Sequence, residues 1–300
     1  MNNSGSLTRQ AISLKKWEKQ WHKGVYYVLA ESTNNPDIPF IAGKDAKDKD
    51  SCLYWGQMGK IHASISPYLM PLTDWEAFKE SVANQSGWGI IIQLKSNFRY
   101  INAPHDYLLN HLREWTLIET SQNEAVLLRL SDWAVLNALF DASTEQQLNS
   151  LFGPITRFAY WHKGNTHVES LTLNGDTSST LLHRSPQKLS QQQYLALESF
   201  AHRHQNKKYA EHLKTHHDEV QLWQDQRLND FLIHNIRIAN QHNFTTERDV
   251  IRYLSLALVL GENFIQTSWA KSQLNAPNSV GTNTRMDMLF QRGLDEIVKE

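Results

Sequence analysis

The sequence predicts an α/β (α+β) N-terminal domain, a mixed β-sheet flanked by helices, followed by an all-α C-terminal lobe. Three observations carry this. Ser86 to Asp132 reads as strand, helix and strand pair: Ile90-Ile91-Ile92-Gln93-Leu94 is apolar on both faces, as a strand covered on both sides of a sheet should be. Two further β-prone runs follow, Ile155 to Trp161 and His167 to Leu173. Beyond the turn-rich stretch Asn174 to Lys188 the apolar period becomes helical. The expected division is therefore residues 1–173, a linker over 174–189, and a helical lobe over 190–300.

Along the first domain, Leu7 to Lys23 fits an amphipathic helix with Ile12, Leu14, Trp17 and Trp21 on its apolar side. Val25 to Ala30 is a buried strand that ends at Glu31. Residues 32–50, with the mixed charge run Lys44 to Asp50, read as a solvated loop. Cys52 to Trp55 is strand-like, and Ser66 to Leu72 is extended because residues before proline avoid the helical region. Thr73-Asp74-Trp75-Glu76 fits a capping box that starts a helix running to about Ala83.

Pro104 suits a first helical turn, where its missing N–H costs nothing, and Tyr107, Leu108, Leu112 and Trp115 form one stripe. Thr116 to Glu119 and Ala125 to Leu130 flank the polar loop 120–124 as a hairpin. Ser131 is the expected N-cap of a helix over Asp132 to Phe140. Ser143-Thr144-Glu145-Gln146 opens another helix that stops at Phe152-Gly153-Pro154. In the second lobe Ser190 with Gln193 forms a box, and helices are expected over 191–213, 217–241, 246–268 and 285–299. The 246–268 segment is apolar almost all round and is expected at the centre of that lobe.

Composition narrows the function. The 300 residues are 40% hydrophobic and 20% charged, enough for a real core. A net charge of −1 gives no basic field, so nucleic acid is not an expected partner. The single cysteine, Cys52, excludes an internal disulfide and suits a reducing compartment. MNNSGSLTRQ has no secretory apolar region, and the late apolar run Leu254 to Gly261 is too short for a bilayer. The expectation is a cytoplasmic protein with no membrane partner.

No catalytic constellation is visible. The chain lacks a G-x-S-x-G elbow and both glycine-rich phosphate loops, and nothing around Cys52 would activate its thiol. Fourteen histidines, with His202, His204, His212, His216 and His217 in one region, raise the question of a metal-dependent hydrolase. His212 and His216 share a helical face, yet Leu213-Lys214-Thr215 between them lacks the glutamate of H-E-x-x-H. A solvated polar helix face is the simpler reading, and neither metal nor cofactor is expected. Trp88 between two glycines reads as core, with a recognition role as the alternative. Arg129 and Asp132 read as a loop-satisfying arginine and a capping aspartate, or as a charge pair. Trp161 and His162, before a loop, are surface candidates. The candidate protein-binding residues are Trp161, His162, Trp88, Arg129, Asp132, Tyr209, His212 and His216.

The opening strand Val25 to Glu31, Ser66-Pro67-Tyr68-Leu69, Ser86-Gly87-Trp88-Gly89-Ile90 to Ser96, His111-Leu112-Arg113, Leu128-Arg129-Leu130-Ser131-Asp132 and Phe152-Gly153-Pro154-Ile155 occur in order across roughly 25–161. In this the first domain resembles the effector adaptor, or chaperone, proteins of bacterial type VI secretion systems, the Tap/TEC family formerly catalogued as a domain of unknown function. Leu258 to Phe264 with Trp269-Ala270, then Arg285 to Leu289, resembles the helical extension of many members. Two positions depart from the pattern: Glu31 stands where an Asp is more common, and Ser131 where an aromatic is common.

The resemblance implies a non-catalytic cytoplasmic adaptor that binds a toxin effector and loads it onto the VgrG spike. It favours the α/β domain for VgrG and the helical lobe for the effector, with separable partners for 1–173 and 190–300. An immunity protein that neutralises a toxin outright, and the hydrolase above, are the alternatives.

Overall fold

Strands that are apolar at every position need cover on both faces, and the structure supplies it. The computed structural model describes residues 7–42, 51–100, 102–174, 187–275, 279–280 and 283–298. Most of the expected linker, the charge run of the 32–50 loop and residues 276–278 and 281–282 lie outside the described residues. Contacts divide the chain into Met1–Phe200 and Ala201–Glu300.

In the first unit the elements run β1 (Leu7–Ser13), α1 (Leu14–Gln20), β2 (Tyr26–Glu31), α2 (Ile38–Ile41), α3 (Gly56–His62), β3 (Pro67–Pro71), α4 (Trp75–Ser81) and β4 (Gly89–Leu94). They continue with α5 (Pro104–Thr116), β5 (Leu117–Glu119), β6 (Ala125–Leu127), α6 (Trp133–Asp141), α7 (Glu145–Phe152), β7 (Ile155–Trp161) and β8 (His167–Leu173). Six strands form one sheet in the order β1-β8-β7-β4-β2-β3, and β5 with β6 is the expected hairpin.

Side chains of successive strand residues point to opposite faces. Tyr27 and Leu29 of β2, Ile90 and Ile92 of β4 and Phe158 of β7 pack with Leu108, Leu112 and Trp115 of α5, Leu139 and Phe140 of α6, and Leu151 and Phe152 of α7. On the other face Tyr26, Val28, Ala30, Ile91, Ala159 and Trp161 pack with Trp17 of α1 and Trp75 and Phe78 of α4. Leu29 and Ile90 to Ile92 are wholly buried, each contributing about 1.5–3 kcal/mol. The architecture expected from the sequence, a sheet flanked by helices with helices after it, is the one observed.

All five pairings in the sheet are antiparallel. The sequence suggested a mixed sheet because strands and helices alternate along the first domain. β3 and β4 do run in the same direction, but both pair with β2, which lies between them. No parallel neighbours result.

The first segment differs from expectation. Leu7–Ser13 is an edge strand in register with all of β8, from Leu7↔Leu173 to Ser13↔His167. The helix is confined to Leu14–Gln20, with Trp17 buried. Satisfying the free edge of β8 outweighs a weak helical preference, and the Arg9 guanidinium ties β1 to Asn137 and Asp141 of α6. Cys52 makes only an isolated bridge to Tyr68.

Three caps sit one residue later than the sequence suggested. Asp74 caps α4 through Ala77 N, Asp132 caps α6, and Thr144 with Gln147 boxes α7. In each case two adjacent residues can cap, and the backbone path chooses between them.

The second unit holds the later part of α8 (Gln191–His216), then α9 (Asp218–Gln221), α10 (Asp225–Gln241), α11 (Glu247–Val259), α12 (Ser268–Leu274), the short pair β9 (Ser279–Val280) and β10 (Asn283–Thr284), and α13 (Arg285–Ile297). The expected Ser190–Gln193 box is present in the first unit, at the start of α8. The long helices expected over 217–241 and 246–268 are each broken. α11 is not apolar all round: Val250, Tyr253, Leu254, Leu256 and Ala257 are buried with Phe231, Leu232, Met286 and Leu289, while Val259 is exposed. Among the described residues no helix is long and apolar enough to cross a membrane.

Candidate functional site

The end of β2 opens into a cleft of about 230 Å³ lined by Glu31, Asn34, Gly87, Gly89, Arg129, Ser131, Asp132, Trp133 and Tyr160 among others. It forms where β2 ends, β4 begins, β7 passes and α6 starts. Glu31 is the charged end of an otherwise apolar strand, and its side chain is buried. A carboxylate can be buried only with donors around it. Oε1 accepts from the Thr33 hydroxyl at 2.8 Å, and Oε2 accepts from the Ser131 hydroxyl at 2.7 Å. Arg129 Nη2 stands 3.6 Å from the same Oε2, with its own side chain about half exposed.

Asp132 is engaged with the start of α6. Its Oδ1 accepts from Ala134 N at 2.9 Å and Val135 N at 3.2 Å, holding the first amides of α6. Glycine is required across the cleft. Gly89 has φ +132°, and a Cβ there would lie 2.0 Å from the Leu29 carbonyl oxygen. The Gly87 carbonyl accepts from Asn34 Nδ2 at 2.7 Å.

Tyr160 and Trp133 form the aromatic wall, and Trp88 packs behind Tyr160. Trp88 stacks on Tyr160 at 5.5 Å between centroids with 12° between planes, and Tyr160 stacks on Trp133 at 6.0 Å and 15°. Trp88 is fully buried and its Nε1 donates to the Trp161 carbonyl at 2.8 Å. Trp133 Nε1 donates to Glu169 Oε2 at 2.7 Å. Burial pushes the Tyr160 phenol up, a hydrogen bond with the Gly87 backbone opposes this, and the nearby Glu169 and Asp132 carboxylates push it further up.

The structure places Arg129 and Asp132 in the lining of this cleft, with Trp88 buried behind it against Tyr160. Arg129 and Asp132 are not a pair, since Arg129 faces Glu31 and Asp132 serves α6. Trp161 is not at the surface. It shares the inner face of β7 with Ala159, lies 6.0 Å from Trp75, and its Nε1 donates to Asn165 O at 3.0 Å, closing the following turn. His162 is exposed and its Nδ1 is 2.9 Å from Lys163 O.

The remaining candidates belong to the second unit. Tyr209 is buried in its core, with its hydroxyl accepting from Gln205 Nε2 at 2.7 Å. His212 and His216 stack at 4.1 Å, and His216 Nδ1 is committed to the His212 carbonyl at 2.8 Å. Burial, then the neighbouring His216 and His217, hold His212 below the usual imidazole range. Among the described residues no three His, Cys, Asp or Glu side chains are grouped to hold a metal ion.

Sequence reasoning did not single out Trp133, Tyr160 or Glu169. Trp133 looked like an ordinary first-turn residue, and Tyr160 and Glu169 become neighbours only through the β7–β8 register.

No curated protein and no solved structure matches the chain. Residues 26–150, which supply the cleft from Glu31 to Trp133 but neither Tyr160 nor Glu169, match the family model described as a domain of unknown function (DUF4123).

Proposed function

We propose that this chain is a non-catalytic cytoplasmic adaptor, or chaperone, that binds a type VI secretion effector and helps load it onto the VgrG spike. The observation that carries the reading is the DUF4123 match over residues 26–150, a family associated with type VI secretion adaptors. The cleft is in keeping with it. Its polar groups serve the fold, Glu31 as an acceptor for Ser131 and Thr33 and Asp132 as a helix cap, while its aromatic wall and Arg129 are residue types favoured at protein interfaces.

Binding stabilises an effector by mass action, as RT ln(1 + [L]/Kd). A loader must also release its cargo, which favours a moderate, partly polar interface over a core-like one. The α/β unit is the proposed contact for the spike and the helical unit for the effector.

The test is capture of the full chain from its native cell, followed by a secretion assay in a strain lacking it. The adaptor reading requires a toxin and a spike component to co-purify and toxin export to fail without the chain. Co-purification of the toxin with export intact in the deletion strain would point to an immunity protein instead.

A further inference from the structure

We propose that the cleft at the end of β2 receives an arginine side chain of the partner polypeptide, held by its carboxylates and its aromatic wall. This rests on the adaptor reading for the identity of the occupant, but the chemistry is that of the cleft itself.

The argument starts with charge. Glu31 and Asp132 line the cleft, and Glu169, outside the lining, accepts the indole N–H of Trp133. Arg129 is the cation lining it, and it already faces Glu31. Among the described residues neither Asp132 nor Glu169 has a cationic partner, so the site keeps an excess of negative charge. Glu169 is the register partner of Tyr160 across β7 and β8, and Asp132 lines the cleft with Tyr160.

An anion is the wrong occupant. The first amides of α6 would suit one, but Asp132 already holds them, and the guanidinium of Arg129 is engaged with Glu31.

Shape then separates arginine from lysine. Trp133 and Tyr160 line the cleft with nearly parallel rings, and a planar guanidinium can lie on the face of Trp133 turned away from Tyr160 while donating in its own plane to carboxylates. An ammonium has neither a flat face to lay on the ring nor a fixed pair of donors for a carboxylate. The chain makes a stack of this kind elsewhere, with the Arg227 guanidinium 4.0 Å from the Trp223 ring centroid.

The test is a titration of the full-length protein with N-acetyl-arginine amide, read at the indole N–H resonance of Trp133 and assigned with Trp133→Phe. The lysine, glutamine and glutamate amides are run in parallel. The arginine amide should give a saturable shift, the lysine amide a several-fold weaker one, and the other two none. Asp132→Asn combined with Glu169→Gln keeps the helix cap and the acceptor for the indole N–H while removing two charges. It should weaken arginine-amide binding by roughly tenfold. No saturable shift with the arginine amide, an equal response to the glutamate amide, or unchanged binding in the double variant would each overturn the proposal. The titration involves no partner protein, so its failure and a failed co-purification are separate results.

Discussion

The Ser131 hydroxyl donates to Glu31 Oε2 at 2.7 Å, joining the end of the central strand to the residue before the α6 cap. Glu31 and Ser131 are the two positions noted in the sequence as departing from the pattern it resembles, and they touch. A glutamate reaches one methylene further than an aspartate, and a serine supplies the donor that an aromatic ring would not. Ser131→Ala should therefore cost about 1.5–3 kcal/mol, because the buried carboxylate loses a charge-assisted donor. Urea unfolding of Ser131→Ala, Glu31→Gln and the double variant measures it. Strict additivity of the two single changes would contradict the coupling.

Gly89 admits no side chain. Gly89→Ala must accommodate a left-handed φ and a Cβ 2.0 Å from Leu29 O, between two strands whose pairing organises the sheet. A loss of about 3 kcal/mol is expected from strain and displaced pairing. Gly164 has φ +86° with open space around the position of its Cβ, so Gly164→Ala should cost much less. Equal unfolding midpoints for the two variants would refute the steric argument.

Asp132 stabilises α6 as an acceptor, not as one half of an ion pair with Arg129. Asp132→Ala should lower stability by about 1 kcal/mol, and Asp132→Asn by only a few tenths, since asparagine caps equally well. Arg129→Gln should leave the helix intact. Thermal unfolding of the three variants gives the comparison, and a loss in Asp132→Asn as large as in Asp132→Ala would favour a charge-pair role.

In the second unit Asp287 links α13 to α11. Its Oδ2 accepts from Thr284 N and the Thr284 hydroxyl, each at 2.8 Å, and its Oδ1 meets Arg252 at 2.5 Å and Arg248 at 2.6 Å. The Thr284 backbone N–H, then its hydroxyl and the two guanidinium groups, hold the carboxyl well below the usual carboxylate range. A group with a depressed folded-state pKa stabilises above its unfolded pKa, and that contribution fades as pH falls below it. The unfolding midpoint should thus fall with acidification below about pH 4, the ordinary aspartate value. Asp287→Asn should be less stable at neutral pH and show a shallower acid dependence. Parallel pH profiles for the two proteins would rule this linkage out.

Much of the fold was legible because burial writes itself into residue type. Ile90 to Ile92 and Tyr26 to Ala30 are apolar on both faces, and they lie between two helical layers. Pro104 and the Ser190–Gln193 box marked helix starts correctly, because those signals act within one turn. Leu7–Ser13 was misread for the opposite reason. Its local pattern permits a helix, and only the unpaired edge of β8, more than a hundred residues away, makes it a strand.

The site divides along the same line. The sequence by itself determined that Trp88 would be core, that a helix would open at Ser131 or Asp132, and that no familiar catalytic motif was present. Only the tertiary structure decided that Arg129 faces Glu31, that Trp161 turns inward, and that Trp133 and Tyr160 line the cleft with Trp88 stacked behind them. Caps and strand periodicity depend on neighbours within a few residues, which the chain order records. A cleft depends on which strand ends the register brings side by side, and no local pattern encodes that.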